Sequence, residues 1–211
     1  MQSIRIIGPG RAGTSLAAAL AAQGWDVIGF LGRHDDLTYA ADGVDILVIA
    51  TPDDVIAPTA AAVTPRPGTT VLHLSGSLGL DALAPHPRRA ALHPLVPLPN
   101  AAVGATRLAS GVTFAVSGEP VARLLALSLG GRVVEVADAD RAVYHAAACI
   151  AANRGGPAGP GRAGGGLRWP RSRGVLAPDK GGGGRCGGAR TAPGADRSGR
   201  TGRLGHLEPP P

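Results

Sequence analysis

The chain has 211 residues, 33 of them Gly and 19 Pro, with two cysteines and a formal net charge of +6. That length suits one to one-and-a-half ordinary domains and permits a core of useful size. Cys149 and Cys186 are too few for a disulfide framework and lack the spacing of metal ligands, no apolar run reaches the ~18 residues of a membrane span, and strand-like residues begin at Ser3 without a signal-peptide pattern, so a cytoplasmic protein that crosses no membrane is expected.

Ile4-Arg5-Ile6-Ile7 has the character of a buried strand, and Gly8-Pro9-Gly10-Arg11-Ala12-Gly13 follows it as G-x-G-x-x-G. Thr14 to Gln23 is Ala- and Leu-rich and helical, Gly24 ends it, and Trp25 to Phe30 is a second strand. Strand, glycine turn, helix and strand together are the context in which this motif binds a dinucleotide. Gly8 permits the tight turn, Gly10 lets backbone approach a pyrophosphate, and Gly13 lets the helix pack close to the strand. The helix N-terminus then offers N–H groups and a partial positive charge to the phosphates. Gly8, Pro9, Gly10, Arg11, Ala12 and Gly13 are the predicted cofactor cradle.

The end of the second strand sets which dinucleotide fits, because an acid there would accept the ribose 2′-hydroxyl of NAD. Here the strand runs into Leu31-Gly32-Arg33-His34, with Asp35 and Asp36 arriving late. Arg33 is suited to a 2′-phosphate, so NADP is favoured over NAD. Val44 to Ala50 is a third strand, ending in Thr51-Pro52-Asp53-Asp54, where a helix starts. Thr51 and Pro52 join the cofactor set, and Asp53 or Asp54 is expected to cap the helix.

Thr69 to Leu74 is another strand, ending in Ser75-Gly76-Ser77, and the short strand Ala90-Ala91-Leu92 runs into His93-Pro94. Val112 to Val116, a helix from Pro120 to Leu129, and Val133 to Val136 complete the sheet. The alternation predicts a doubly wound, Rossmann-like α/β sheet over residues 1–137, with ligands beyond the carboxyl ends of its strands. Thr51, Ser75 and His93 fall at such ends. His73, inside an apolar strand, is expected to be a hydrogen-bonded core histidine.

Composition changes near Asn153. Residues 1–153 carry 10 Arg against 12 Asp and Glu, a net of −2, whereas residues 154–211 carry 10 Arg and one Lys against 3 acids, a net of +8. The second stretch also holds 18 Gly and 8 Pro in 58 residues, too little apolar material to offset the entropy of ordering. It is expected to be a disordered tail. It contains one aromatic residue, Trp169, and no repeated arginine–aromatic spacing, so nucleic acid is not the expected partner.

The glycine turn, Ala50-Thr51-Pro52-Asp53-Asp54, His73 to Gly79, Leu92-His93-Pro94-Leu95 and Tyr144-His145-Ala146-Ala147 together resemble a family of bacterial proteins. These are assigned as Rossmann-like oxidoreductases with a C-terminal helical domain of unknown function. In layout they are similar to the 6-phosphogluconate dehydrogenase-like superfamily, with its ketopantoate, pyrroline-carboxylate and prephenate dehydrogenases or reductases. The resemblance covers residues 3–153. It implies hydride transfer to or from a small oxo acid, hydroxy acid or imine. By the same analogy His93 is the base for a reacting hydroxyl and Ser75 orients substrate or nicotinamide. His145 and Asn153, eight residues apart on one face of the next helix, are further catalytic candidates. A regulatory module that binds a nucleotide without catalysis is the competing class, since fold alone establishes no chemistry.

Members of that family continue past Asn153 with amphipathic helices and commonly dimerise through them. Residues 138–153 therefore look like the start of a helical domain, and residues 154–211 like text in another reading frame. Codons for Ala195–His206 and for Val175–Ala189, read one base out of register, both permit sequence resembling that domain, the second with helical apolar periodicity. The expectation is a frameshift near codon 153, an intact parent that is a homodimer, and impaired function in the present chain.

Overall fold

The structure, a computed structural model, describes residues 2–154, with side chains as far as residue 151. The expected out-of-frame tail lies outside the described residues apart from Arg154, which ends the last helix. Seven strands form one sheet: β1 (Ser3–Ile7), β2 (Asp26–Leu31), β3 (Ile46–Ile49), β4 (Thr70–His73), β5 (Arg89–Pro94), β6 (Thr113–Gly118) and β7 (Arg132–Glu135). Five helices accompany them: α1 (Arg11–Ala22), α2 (Asp53–Ala62), α3 (Ala101–Leu108), α4 (Val121–Ser128) and α5 (Arg141–Arg154). The strand order is β2-β1-β3-β4-β5-β6-β7. The doubly wound α/β expectation therefore holds, and no helix among the described residues is long and apolar enough to cross a membrane.

All four residues of β3 and of β4 are buried, as strands covered on both faces must be. Alternation divides the core into two layers. Ile4, Ile6, Val48 and Leu92 face Leu16 and Leu20 of α1, Leu108 of α3 and Leu125 of α4. Ile7, Leu47, Ile49 and Val71 face Ile56 and Ala60 of α2, with Leu83 from a single 3-10 turn.

Two features depart from the sequence reading. β6 runs antiparallel to β5, and β7 follows β6 in parallel, so the far edge of the sheet is reversed relative to β1–β5. Helix α3 was not predicted, because Gly104 interrupts its apolar pattern and three prolines precede it. Its start signal is nonetheless present: Asn100 caps it, accepting from Val103 N at 3.0 Å.

α3 crosses α1 at close range. A Cβ on Gly104 would collide with Ser15, whose hydroxyl bonds Arg11 O at 2.6 Å and Asn100 O at 3.1 Å. Overfilling that crossing forces backbone movement. Gly104→Val is expected to cost about 1–3 kcal/mol, read as a lower denaturation midpoint at unchanged m-value.

Candidate functional site

The glycine turn brings β1, β3 and α1 to minimal separation. Gly8 has φ +100°, and a Cβ on it would stand 2.8 Å from the carbonyl oxygen of Ala50. A Cβ on Gly13 would collide with the carbonyl oxygen of Gly8 and lie 3.2 Å from Ala50 Cβ. These two glycines are required by packing. Gly10 differs, since a Cβ there would meet nothing within 4 Å. Its bare backbone faces open space at the mouth of α1. Thr14 N is bonded back to Gly10 O at 3.0 Å, leaving the N–H groups of Arg11, Ala12 and Gly13 without an intrahelical acceptor.

A groove crosses this mouth. On one side a cleft of about 670 Å³ is lined by Gly8, Pro9, Gly10, Arg33, Thr51 and Pro52, among others. On the other a cleft of about 650 Å³ is lined by Gly10, Arg11, Ala12, Thr51 and the Pro97–Pro99 segment. Every residue of the predicted cofactor set except Gly13, which packs beneath the turn, lines one or both clefts. Arg33 is exposed, and the Asp35 carboxylate accepts from the N–H of Gly32, the residue before Arg33, at 2.6 Å. Asp54 lines the Arg33 cleft as well. Thr51 Oγ1 is buried with no hydrogen-bond partner among the described residues. An orphaned hydroxyl, free helix N–H groups and an open Gly10 are what a phosphate-bearing ligand would satisfy, so the residues fit a dinucleotide.

Asp53 links the groove to a second cluster. It was expected to cap α2 unless Asp54 did so, but the cap position is Pro52 and no side chain makes a cap bond. The Asp53 carboxylate instead accepts from Ser75 Oγ at 2.7 Å and Ser77 Oγ at 2.9 Å. Ser75 Oγ also accepts from the N–H groups of Ser77 and Leu78, at 3.2 and 3.1 Å. Its hydroxyl is engaged within this turn, and Ser75 is only 5% exposed.

Beside that turn stand two imidazoles. His93, near the end of β5, and His145, on α5, have ring centroids 5.6 Å apart at 73°. A Cβ on Gly76 would lie 2.8 Å from His93 Cε1, 2.9 Å from His93 Nε2 and closer still to His145 Nδ1. Glycine at 76 is therefore the condition for both rings to approach. His93 Nδ1 is 2.9 Å from the hydroxyl of the buried Tyr144, and His145 Nε2 is 3.5 Å from Cys149 Sγ. His145 Nδ1 is buried and has no partner among the described residues.

Arg141 fastens this arrangement. It is fully buried and donates to Ser75 O and to Ser117 Oγ, each at 2.7 Å. Burial, then the neighbouring His145 and Arg141 charges, push the His93 pKa down to about 4. Burial and Arg141 likewise bring His73 to about 4, and its Nε2 meets Gly79 O at 3.3 Å while Nδ1 has no partner among the described residues. Burial drives the Tyr144 phenol up to about 12, so it stays protonated.

The structure thus gathers Ser75, His93 and His145 around Gly76. The Asn153 side chain lies outside the described residues. Asp53, Tyr144 and Arg141 were not predicted as site residues. Tyr144 precedes a singled-out histidine, and a signal for Asp53 existed in its position after Thr51-Pro52. Arg141 gave none, because its partners are a carbonyl and a hydroxyl distant in sequence.

The fold is Rossmann-like, and three solved proteins share it. A Bacteroides fragilis protein assigned as an NADP oxidoreductase superposes with TM-score 0.58 at 16% identity, over 72% of this chain and 67% of that one. Prephenate dehydrogenase from Aquifex aeolicus, solved with hydroxyphenyl propionate and NAD+, gives 0.53 at 14% identity, over 67% of this chain and 62% of that one. Plasmodium falciparum pyrroline carboxylate reductase with NADP bound gives 0.52 at 14% identity, over 72% and 64%. The chain spans about two thirds of the length of these proteins. Residues 110–154 match a domain of unknown function, DUF2520. No curated protein matches the sequence.

Histidines held neutral by burial make stability depend on pH. Their folded pKa lies below the ordinary 6.5, so their contribution is complete above 6.5 and is lost as pH falls towards 4. Asp42 and Asp45, held below 3.8 by their hydrogen bonds to Arg66 and Ser3, weaken only further down. The melting temperature should therefore fall between about pH 7 and about pH 4.5, before carboxylates titrate appreciably. Thermal melts across that interval measure it.

Proposed function

We propose that this chain is the dinucleotide-binding part of a nicotinamide-dependent oxidoreductase that prefers NADP and acts on a small oxo acid, hydroxy acid or imine. The observation that carries the reading is the glycine turn: Gly8 and Gly13 are compelled by packing, whereas Gly10 opens onto a groove at the helix mouth. The N–H groups of Arg11, Ala12 and Gly13 would hold the pyrophosphate, with Pro9 and Pro52 shaping the walls. Thr51 would supply its unpaired hydroxyl to the ligand. Arg33 would meet a 2′-phosphate with a charge-assisted bond. The nicotinamide, when bound, supplies or accepts the hydride.

The substrate half of the site would be the His93–His145 cluster, joined to the groove by Asp53 and its bonds to Ser75 and Ser77. Burial of His93 suits it to act as a neutral imidazole at working pH. Asn153, on the same helix as His145, belongs to this proposal only as a candidate. The prephenate dehydrogenase and pyrroline carboxylate reductase likenesses support the reaction class at the level of fold. The clefts on both sides of the glycine turn are open, so we expect weak dinucleotide binding and slow turnover. Robust NADPH oxidation by the 211-residue protein, with a panel of 2-oxo acids, aldehydes and imines, would contradict that.

Cofactor choice is tested by fluorescence titration with NADPH and NADH. A charge-assisted contact of about 1.5–3 kcal/mol means that Arg33→Ala should reduce the NADPH-over-NADH preference by roughly 10- to 100-fold. An unchanged ratio would remove Arg33 from the 2′-phosphate role.

A further inference from the structure

Arg11 is a cation placed where local stability opposes it. It opens α1, whose first turn holds no acid, so its charge meets the positive end of the helix dipole. The residue is exposed, and among the described residues its guanidinium has no hydrogen-bond or ion-pair partner. Its place along the groove is equally distinct. Gly10 lines both clefts, Arg33 only one of them, and Arg11 only the other. A dinucleotide with its pyrophosphate over Gly10 and its 2′-phosphate at Arg33 would extend its nicotinamide half towards Arg11.

The cleft beside Arg11, of about 650 Å³, has a fixed far wall. Pro97 O accepts from Arg107 Nη1 at 2.7 Å, Leu98 packs against the core layer under α1, and Asn100 O accepts from Ser15 Oγ at 3.1 Å. Pro97 and Pro99 restrict their own backbone. The wall is thereby tied to α1, the helix that carries Arg11. The remaining lining is Gly10, Ala12, Ala50 and Pro52, with Thr51, whose buried Oγ1 has no partner among the described residues. No acid among the described residues lines this cleft. One cation and one hydroxyl in otherwise apolar surroundings match a small molecule with a single carboxylate and an apolar body. An uncharged carbonyl compound would leave the guanidinium unanswered.

Resting on the proposed function, we infer that the Arg11 guanidinium receives the substrate's carboxylate in the cleft between the glycine turn and Pro97–Pro99. Arg11 is then the residue that selects an acid. A guanidinium is charged at any working pH, and its planar fork offers paired N–H donors to the two oxygens of a carboxylate. The pyrophosphate is a separate demand, met by backbone N–H groups rather than by this side chain. The substrate class narrows accordingly to small oxo or hydroxy acids, and among imines to those that carry a carboxylate. Arg11 binds and discriminates. Neither the proton nor the hydride passes through it.

The test uses the full-length chain, with 2-oxobutyrate as the probe and 2-butanone, which lacks the carboxylate, as its neutral counterpart. With arginine labelled in ¹⁵N, 2-oxobutyrate at constant ionic strength should shift the Arg11 Nε–H signal, assigned by its loss in Arg11→Gln. The Arg33 signal should stay in place, and 2-butanone should move neither. In the NADP+-loaded chain, Arg11→Gln should weaken 2-oxobutyrate binding by about 10- to 100-fold, while NADPH affinity changes by less than about threefold. Arg11→Lys should retain part of the acid's affinity. Neither variant should lower the melting temperature, because the side chain holds nothing in the fold. Equal shifts at Arg11 and Arg33, an unchanged acid affinity in Arg11→Gln, or no binding of the acid to the wild-type chain overturns the carboxylate role. A fall in NADPH affinity as large as the fall for the acid overturns it too, and gives the guanidinium to a cofactor phosphate. NADPH fluorescence on the wild-type chain is scored separately: its absence defeats the dinucleotide reading, whereas the Arg11 shift is read in the cofactor-free chain.

Discussion

The guanidinium of Arg141 is buried without a carboxylate against it, and its two short bonds run to the Ser75 carbonyl and the Ser117 hydroxyl. Removing a charge from water is expensive, so its bonds to these acceptors make this geometry much more favourable than neighbouring ones. Three distant stretches of chain meet there: the turn after β4, strand β6 and the first turn of α5. Three residues further along α5, Tyr144 reaches His93, and one residue beyond it His145 reaches the space over Gly76. Where α5 begins thus decides whether the two imidazoles meet. Ser117 completes the bracket by donating a hydrogen bond to Val136 O at 2.8 Å.

The groove at the glycine turn and the imidazole cluster are built on different principles. The groove is shaped by what is missing, since Gly8 and Gly13 permit contacts that any side chain would forbid. The cluster is shaped by saturation: Ser75, Ser77 and Asp53 consume one another's hydrogen bonds, and His93 Nδ1 is taken by Tyr144. Asp53 belongs to both, following the groove residues Thr51 and Pro52 in the chain while holding the Ser75 turn. A disturbance of α2 at its first turn would therefore be felt at both places.

Much of this was legible in the sequence because it is local. The strand, glycine turn and helix of residues 4–23 carry their own periodicity and punctuation, and every predicted strand is present with its ends moved by one or two residues. Ser75, His93 and His145 were legible as polar residues at strand ends or on one helix face. The rest depends on long-range meeting. Nothing near Arg141 announces a carbonyl at residue 75, and Asp53 resembles a helix cap until Ser75 is brought beside it. The reversal of β6 was equally hidden, for an apolar strand reads the same in either direction. Helix α3 was lost because its glycine, which lowers helix propensity, is needed for the approach to Ser15.

The pairing of β6 with β5 bears on motion. Were the sheet to end at β5, the strand bearing His93 would be an edge, with a row of exposed amides free to fray. The added pair β6 and β7 makes it an interior strand, with β4 on one side and β6 on the other. Interior strands of a covered sheet open chiefly when the whole domain opens, so their amides exchange with solvent slowly. His93 therefore sits on an interior strand, whose amides are expected to exchange slowly. His145 rides on α5, whose outer face shows solvent Val143 and Ile150 at 74% and 60% exposure. The two rings that meet over Gly76 are thus carried by an interior strand and by a helix with one face in solvent.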